Sequence, residues 1–263
     1  MKKSVRILII ALLIICVGVF CYAGYTLISK QLEYKASEDF YNGLSEKYTS
    51  TSVSKPSSAP TAAATEETIE LDPEISPKST DWNTLLADYP DIVGWIYLPG
   101  TNIDYPVAKY DDNSYYLNRQ LDGSYNSGGT LFVECLNQSD FSDDNTMIYG
   151  HHMNDGSMFA KLIDYSYQDY YNEHPVMYLN TPTMNYRVEL FAGFVTSASS
   201  DVYTITLGDD DSWNAYIESA VSQSKFESTA DVKAGDRILT LSTCTYEYDD
   251  ARFVVLGKLV PIH

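Results

Sequence analysis

The N-terminal apolar run restricts the fold of this chain more than any other feature of the sequence. Residues 7–28 contain no charged side chain and are rich in Ile, Leu and Val. A run of this length is sufficient to cross the hydrocarbon core of a bilayer. More basic residues lie just before the run than just after it, where Lys30 is the only one nearby. Because basic residues prefer the cytoplasmic side of a membrane, the N-terminus is expected to stay in the cytoplasm. The sequence therefore predicts a basic cytoplasmic end and a single-pass membrane anchor in residues 1–30, with an extracellular remainder.

A cleaved signal peptide is the alternative interpretation of the same run. Cys21-Tyr22-Ala23 offers a cleavage site of the small-x-small kind. We favour the uncleaved anchor because the apolar run is longer than the core of a typical signal peptide. Under either interpretation, the rest of the protein lies outside the cytoplasm.

Charge separates the N-terminal segment from the rest of the chain. The protein has 17 basic and 36 acidic residues, which give a formal net charge of −19. Residues 1–30 contain four of the basic residues and none of the acidic ones, so the remainder carries −23, with 13 basic against 36 acidic side chains. Such an acidic body repels phosphate backbones and anionic membrane surfaces, which disfavours binding to nucleic acid.

Composition divides the extracellular part into a tether and a folded domain. Residues 31–80 are predicted to be a linker, which begins with a stretch that could extend the membrane helix and then becomes rich in Ser, Thr, Ala, Pro and Glu. That composition offers too little apolar surface to support a core. Residues 81–263 are predicted to form the folded domain, which opens with a helix at Asp81–Tyr89 before Pro90.

Strand signals dominate the predicted folded domain. Segments rich in Val, Ile, Leu, Phe and Tyr predict strands at Ile92–Leu98, Ile103–Val107, Thr130–Glu134, Thr146–Tyr149, Val176–Leu179, Tyr186–Thr196, Arg237–Thr243 and Arg252–Val260. Their number and spacing favour a mainly β, α+β fold built on a closed or nearly closed mixed β-barrel. Two helices are expected to interrupt the strands, a short one at Ser157–Leu162 and a longer one at Asp211–Ser224 with apolar residues at helical spacing.

The segment from Thr240 to Val255 has the pattern of a strand, a polar turn and a second strand. If the turn is centred near Tyr248, Cys244 and Arg252 face each other, with Cβ atoms about 5 Å apart. A guanidinium beside a thiol can stabilise a thiolate, or the oxyanion that forms when a thiolate attacks a carbonyl. The alternative is an ordinary hairpin with a buried cysteine and a solvated arginine.

A histidine pair supplies the imidazole that thiol chemistry needs within hydrogen-bond reach. A predicted strand runs directly into Gly150, His151 and His152. Neighbouring side chains of an extended chain point to opposite faces, so only one of the two histidines is expected to reach the site. We interpret His174 and His263 as surface residues. Because the histidines and carboxylates lack the spacing typical of zinc sites, neither a metal nor a cofactor is expected.

The residues around the cysteine resemble those of the sortase family. Thr240-Leu241-Ser242-Thr243-Cys244 is similar to the T-L-x-T-C signature of sortases, Arg252 matches the arginine that follows it, and Gly150-His151 matches the family's Gly-His. The similarity covers about residues 82–260, nearly all of the predicted extracellular domain. The resemblance implies a sortase-like closed mixed β-barrel.

Three features are most similar to class B sortases. They are Tyr149-Gly150-His151-His152, the long N-terminal helical region and the helix inserted before the cysteine strand. The sequence has no Asp-Pro-Trp or Asp-Pro-Phe motif before the barrel, which separates it from the pilin polymerases of class C.

The resemblance implies a transpeptidation in two half-reactions. Cys244 would attack the Thr carbonyl of a C-terminal sorting signal, of the L-P-x-T-G or N-P-x-T-N kind, on a surface protein. An amine of a peptidoglycan precursor or cross-bridge would then resolve the thioacyl intermediate. His151 would transfer protons, Arg252 would stabilise the oxyanion, and Ser242 and Thr243 would line the substrate site.

Three other functions remain open. A pilus-assembling sortase would use a pilin lysine as the acceptor, and a cysteine hydrolase would use water. The third is an anchored binding module in which Cys244 is inert.

Some polar residues near the site have no role implied by the resemblance. Cys135 is expected to be a packed thiol, although it could instead form a disulfide with Cys244. Glu247, Asp249 and Asp250 could bind a basic acceptor amine or only solvate a turn.

Overall fold

The computed structural model describes residues 3–51, 76–245 and 249–262. Contacts divide the chain into two compact units, Met1–Asn42 and Gly43–His263. Helix α1 extends over Lys3–Tyr48 as one 46-residue element. Its segment Leu12–Tyr48 is long and apolar enough to cross a membrane, with a mean hydropathy of 2.1 over 18 residues. Most large apolar side chains between Leu12 and Leu32 are exposed, whereas Tyr41, Leu44 and Tyr48 near the end of the helix are buried. The helix predicted to continue beyond the apolar run is therefore present.

A short antiparallel pair precedes the barrel. Strand β1 (Thr49–Thr51) pairs with β2 (Lys78–Thr80), so the residues just before the predicted start of the domain are part of the second unit. The Lys78 side chain is buried and forms an ion pair with Asp104. Residues 52–75 of the predicted linker lie outside the described residues, and its boundary at residue 81 stays a prediction.

Eight strands form a closed barrel in the order β10-β8-β7-β3-β4-β5-β6-β9. They are β3 (Ile92–Tyr97), β4 (Asp104–Ala108), β5 (Leu131–Val133), β6 (Asn145–Tyr149), β7 (Val176–Asn180), β8 (Asn185–Ser197), β9 (Ile238–Cys244) and β10 (Ala251–Ile262). The β4–β5 and β6–β9 pairs are parallel and the other pairs are antiparallel. The predicted closed mixed barrel is confirmed.

The helices after α1 are short and lie between strands. They are α2 (Trp82–Asp88), α3 (Gln168–Glu173) and α4 (Asp210–Gln223), with 3-10 helices at Tyr115–Asn118, Ala160–Ser166 and Asp201–Tyr203. Side-chain oxygens of Asp81 and Asp209 accept backbone hydrogen bonds at the starts of α2 and α4, as is usual for N-cap residues. The helix predicted at 157–162 is instead the 3-10 helix that begins at residue 160.

Helix α4 packs against the barrel strand β8. Trp213 and Ala220 of the helix are buried in one apolar cluster with Phe191 and Phe194 of the strand. Val202, in the 3-10 helix Asp201–Tyr203, belongs to the same cluster. The helix therefore fixes this 3-10 helix beside the barrel.

Candidate active site

A pocket of about 220 Å³ lies where β6, β9 and β10 meet. Its lining contains the five residues proposed for the site from sequence: His151, Ser242, Thr243, Cys244 and Arg252. Its other lining residues are Asn113, Leu117, Phe132, Tyr149, Gly150, Ala198 and Tyr203. Larger cavities of about 400 and 1120 Å³ flank α4, but their linings contain no cysteine or histidine. The small pocket therefore holds all of the proposed catalytic side chains.

Cys244 and Arg252 are directly paired residues of β9 and β10. This is the register that the polar turn predicts, and it puts the guanidinium and the thiol on the same edge of the barrel. Tyr248 and Glu247 of that turn lie outside the described residues, whereas Asp249 and Asp250 are exposed.

The parallel pairing of β6 with β9 brings His151 to the same edge. Tyr149 pairs with Ser242, and His151 and Cys244 each follow two residues further along strands that run in the same direction. Gly150 permits this approach, because a Cβ atom there would lie 2.3 Å from Leu131 Cδ2 and 2.7 Å from Phe159 Cδ2.

A backbone carbonyl orients the His151 ring. Its Nε2 lies 2.7 Å from the carbonyl oxygen of Leu117. A carbonyl only accepts, so Nε2 carries the proton and donates it. His152 does not line the pocket and its backbone bridges to Met158. Only one of the two neighbouring histidines thus faces the site, as the alternation of an extended chain requires.

The Leu117 carbonyl is placed by a close backbone contact. Leu117 belongs to the 3-10 helix Tyr115–Asn118, which lies against Gly129. Gly129 has φ +56°, and a Cβ atom there would lie 2.2 Å from the Tyr116 oxygen and 2.6 Å from the Leu117 oxygen. Glycine is therefore required at this position if the carbonyl is to reach the imidazole.

Arg252 keeps its charge available. The half-buried guanidinium donates through Nη1 to the carbonyl of Ala251 at 3.0 Å. Within residues 3–51, 76–245 and 249–262 it forms no ion pair with a carboxylate. A cation at this position can stabilise negative charge that develops on a bound substrate.

Ser242 and Thr243 are each only 2% exposed. The Ser242 hydroxyl lies 2.9 Å from the hydroxyl of Tyr203. The Thr243 Oγ1 is buried and has no hydrogen-bond partner in the part of the chain that the structure describes. A buried hydroxyl of this kind can serve a ligand.

Tyr149 and Glu134 form a polar contact behind the pocket. The Tyr149 hydroxyl donates to Glu134 Oε2 at 2.9 Å. Burial, with the neighbouring carboxylate, raises the pKa of the Tyr149 hydroxyl, which stays protonated and can donate. Sequence reasoning gave neither residue a role in the site: Tyr149 entered only as part of Tyr149-Gly150-His151-His152, and Glu134 only as the end of a predicted strand.

Cys135 and Cys244 are both free thiols, which contradicts the disulfide alternative. Cys135 follows β5, where its Sγ donates to Glu134 Oε1 at 3.3 Å. Burial, reinforced by this carboxylate, raises the pKa of the Cys135 thiol. Cys244 is therefore free for chemistry. Among the described residues, no three His, Cys, Asp or Glu side chains are grouped so as to hold a metal ion.

The sequence of this chain is similar to those of sortases. A family model for the sortase domain matches residues 96–260. Sortase B of Listeria monocytogenes is 31% identical over 252 residues, which cover 95% of this chain and 96% of that protein. Sortase B of Staphylococcus aureus is 31% identical over 174 residues, or 65% of this chain and 71% of that protein.

Solved structures of similar fold agree with the sequence comparison. A sortase B–substrate complex from Staphylococcus aureus superposes with a TM-score of 0.66 at 30% identity, and the match covers 69% of this chain and 85% of that one. Sortase B of Bacillus anthracis in complex with AAEK1 gives a TM-score of 0.69 at 27% identity, with 88% and 99% covered.

Proposed function

Since this chain belongs to the sortase family and is a cysteine transpeptidase similar to class B members, we propose that it joins surface proteins to the cell wall. Its substrate would be a C-terminal sorting signal of the L-P-x-T-G or N-P-x-T-N kind. The observation that carries this proposal is the shared pocket of Cys244, His151 and Arg252.

The first half-reaction makes the thioacyl intermediate. The Cys244 thiolate attacks the carbonyl carbon of the signal's Thr, and the carbonyl oxygen becomes an oxyanion beside the Arg252 guanidinium. The intermediate collapses as the carbon–nitrogen bond breaks. The His151 imidazolium gives its proton to the leaving amine, so a thioester and a free amine result.

The second half-reaction reverses these roles. An acceptor amine attacks the thioester carbonyl, and His151 takes the proton that the amine loses. The carbon–sulfur bond then breaks, a new amide forms, and Cys244 returns as a thiolate. Because Nε2 of His151 is bonded to the Leu117 carbonyl, Nδ1 is the ring atom that would exchange protons.

The rest of the lining supports an extended peptide as substrate. Leu117, Phe132 and Tyr149 give the pocket an apolar wall, while Ser242 and Thr243 add buried hydroxyls. A peptide that contains a proline and a threonine has apolar groups as well as hydrogen-bonding groups, so it needs both an apolar wall and hydroxyls in the pocket. One solved relative is described as a complex of sortase B with its substrate.

The proposed location follows from α1. We place the basic end of residues 1–30 in the cytoplasm and the apolar part of that range in the membrane. Residues 31–80 would be a tether, and residues 81–263 an extracellular catalytic domain with access to surface proteins and to peptidoglycan amines.

The test is capture of the intermediate. Wild-type ectodomain is incubated with quenched sorting-signal peptides, with and without an amine acceptor, and mass spectrometry is used to find an adduct on Cys244. We expect an adduct that the amine resolves. Cys244→Ala removes it, whereas Cys135→Ala, at the other extracellular cysteine, keeps it.

The same experiment separates the alternatives. Cleavage that survives Cys244→Ala contradicts the assignment of the nucleophile. An adduct resolved only by water indicates a hydrolase, and one resolved only by a pilin lysine indicates a pilus-assembling enzyme. No adduct with any signal peptide favours a binding module.

A further inference from the structure

We propose that Glu134 is a positioning residue of the active site, through which the walls of the pocket and the His151 ring are held in place. Nothing in the sequence motifs assigns it a role. The inference rests on the proposed function, because it takes His151 as the proton-transfer group. Glu134 itself does not line the pocket.

Glu134 is a buried carboxylate that accepts several hydrogen bonds. It follows β5 and is 9% exposed. Asn113 Nδ2 lies 2.7 Å from both carboxylate oxygens, and the Tyr149 hydroxyl lies 2.9 Å from Oε2. The Leu136 amide and the Cys135 thiol, each at 3.3 Å, donate to Oε1.

These hydrogen bonds keep Glu134 ionised. Burial alone would raise the pKa of the carboxyl, but the donors from Asn113, Cys135 and Tyr149 outweigh it, so the pKa lies below its ordinary value. A charged, fully bonded carboxylate holds its donors more strongly than a neutral acceptor would.

The first route from Glu134 to His151 passes through Asn113. The amide group of Asn113 is bonded at both ends, because its Oδ1 also accepts from the Cys135 amide at 2.8 Å. Asn113 lies two residues before the 3-10 helix Tyr115–Asn118, next to its N-cap Ser114. The opposite side of that helix is held by the Thr130 amide, which donates to the Tyr116 carbonyl at 3.0 Å. The Leu117 carbonyl is thus fixed where it accepts from His151.

The second route passes through Tyr149. This residue lies in β6, two positions before His151 on the same side of the strand. Its ring packs against Phe132 and Tyr203, with centroids 5.5 and 6.2 Å away, while its hydroxyl is bonded to Glu134. One carboxylate therefore restrains both the strand that carries the imidazole and the carbonyl that orients it.

A carboxylate is the side chain this position needs. Glu134 faces donors alone, and a carboxylate is an acceptor at both oxygens. In Glu134→Gln the shape is kept, but the new amide group points donors at Asn113 or Tyr149. The variant tests the hydrogen bonds rather than the packing.

The experiment compares Glu134→Gln with a matched control, Asp143→Asn. Asp143 lies in the same β5–β6 connection and accepts from Asn137 Nδ2 at 2.8 Å and the Gln138 amide at 2.6 Å, but it does not line the pocket. Two quantities are measured: the single-turnover rate of thioacyl formation, and the ¹⁵N shifts of the His151 ring in substrate-free enzyme. His151→Ala assigns the ring signals.

For Glu134→Gln we expect thioacyl formation to slow by about 10- to 100-fold with a smaller change in KM, because the reacting groups are misplaced rather than removed. The His151 ring should change from the Nε2-protonated tautomer to a mixture. Asp143→Asn should match the wild type in both. A folded Glu134→Gln with wild-type rate, or with a slowed rate but an unchanged ring spectrum, overturns the proposal.

If Glu134→Gln does not fold, Tyr149→Phe replaces it, since this variant removes one donor and keeps the ring. For Tyr149→Phe we expect thioacyl formation to slow by less than in Glu134→Gln, and the His151 ring to shift toward the same mixture of tautomers. A wild-type rate together with a wild-type ring spectrum overturns the proposal. The ring spectrum needs no substrate, so it reports on positioning even where the wild type forms no adduct. Failure of the proposed function is thus distinguishable from failure of this inference.

Discussion

The amide nitrogen of Gly150 donates a hydrogen bond to the carbonyl oxygen of Ser242 at 3.1 Å. This bond extends the parallel pairing of β6 and β9 to Gly150, directly before His151, and to Ser242, two residues before Cys244. The relative position of imidazole and sulfur is therefore set by main-chain geometry, and substitutions that disturb it should reduce activity without touching either group.

Gly150→Ala tests this dependence. The added Cβ would lie 2.3 Å from Leu131 Cδ2 and 2.7 Å from Phe159 Cδ2, so either these buried side chains or the backbone at Gly150 must shift, and we expect thioacyl formation to fall by about 100-fold. Gly43→Ala is the control, because a Cβ there has nothing within 4 Å. Single-turnover kinetics check the rates, and equal rates for the two variants would contradict the argument.

Arg252→Gln should reduce kcat/KM by about 10²- to 10³-fold, because it removes the positive charge that we propose stabilises the oxyanion. Arg252→Lys should recover part of the rate, because it restores the charge without the planar fork. Arg187→Lys is the control, in an ion pair with Glu189 away from the pocket. Peptide cleavage assays measure the rates, and near wild-type activity of Arg252→Gln would exclude the proposed role.

Asn145→Ala should destabilise the domain. The buried amide group donates to the carbonyls of Val202 and Thr204, both at 3.0 Å, and accepts from the Thr240 hydroxyl at 2.8 Å. Removing it leaves buried groups without partners, at a cost of about 3 kcal/mol in the free energy of unfolding. Urea denaturation measures this, with Asn172→Ala on the exposed face of α3 as control. The prediction fails if both variants unfold at the same urea concentration.

Lys78→Ala should also destabilise the domain, because it leaves Asp104 without its cation. The Lys78 and Asp104 side chains are 6% and 26% exposed, and loss of one partner of such a pair costs about 3 to 5 kcal/mol. Lys161→Ala, in an exposed pair with Asp164, should cost less than about 1 kcal/mol. Both are measured by denaturant unfolding, and similar losses would argue against a buried ion pair.

The contribution of Glu134 to stability should depend on pH. Its pKa in the folded protein lies below its ordinary value, so its stabilisation is fully present above the unfolded pKa of about 4.3 and is lost as pH falls through the folded pKa. The difference in unfolding free energy between wild type and Glu134→Gln should therefore shrink below about pH 4. Denaturation at a series of pH values checks this, and a difference that grows in acid has the wrong sign.

Local patterns predicted much of this structure. The register of Cys244 against Arg252 follows from a polar turn between two short strands, and the end of α2 follows from Pro90. The helix predicted at 157–162 begins late because Met158 has φ +54°, a conformation that no helix residue adopts and that the sequence does not signal.

Long-range contacts could not be predicted in the same way. No sequence pattern in β6 or β9 indicates that the two strands pair, because both contain ordinary β-forming residues. The Leu117 carbonyl is a backbone group that any residue would supply. Glu134 follows a strand, where an acidic side chain usually indicates solvent, and its burial becomes clear only when Asn113 and Tyr149 are seen around it.

The β6–β9 pairing also bears on when the protein becomes active. Asn145 and Thr240, bonded across this pair, lie 95 positions apart in the chain. Joining such distant strands is slow, because the entropy of the intervening loop is lost before any contact is gained. A nascent chain that has emerged only as far as β8 carries the imidazole without the sulfur. Catalytic activity should therefore appear only at the end of folding, in a single step, when β9 and β10 complete the barrel.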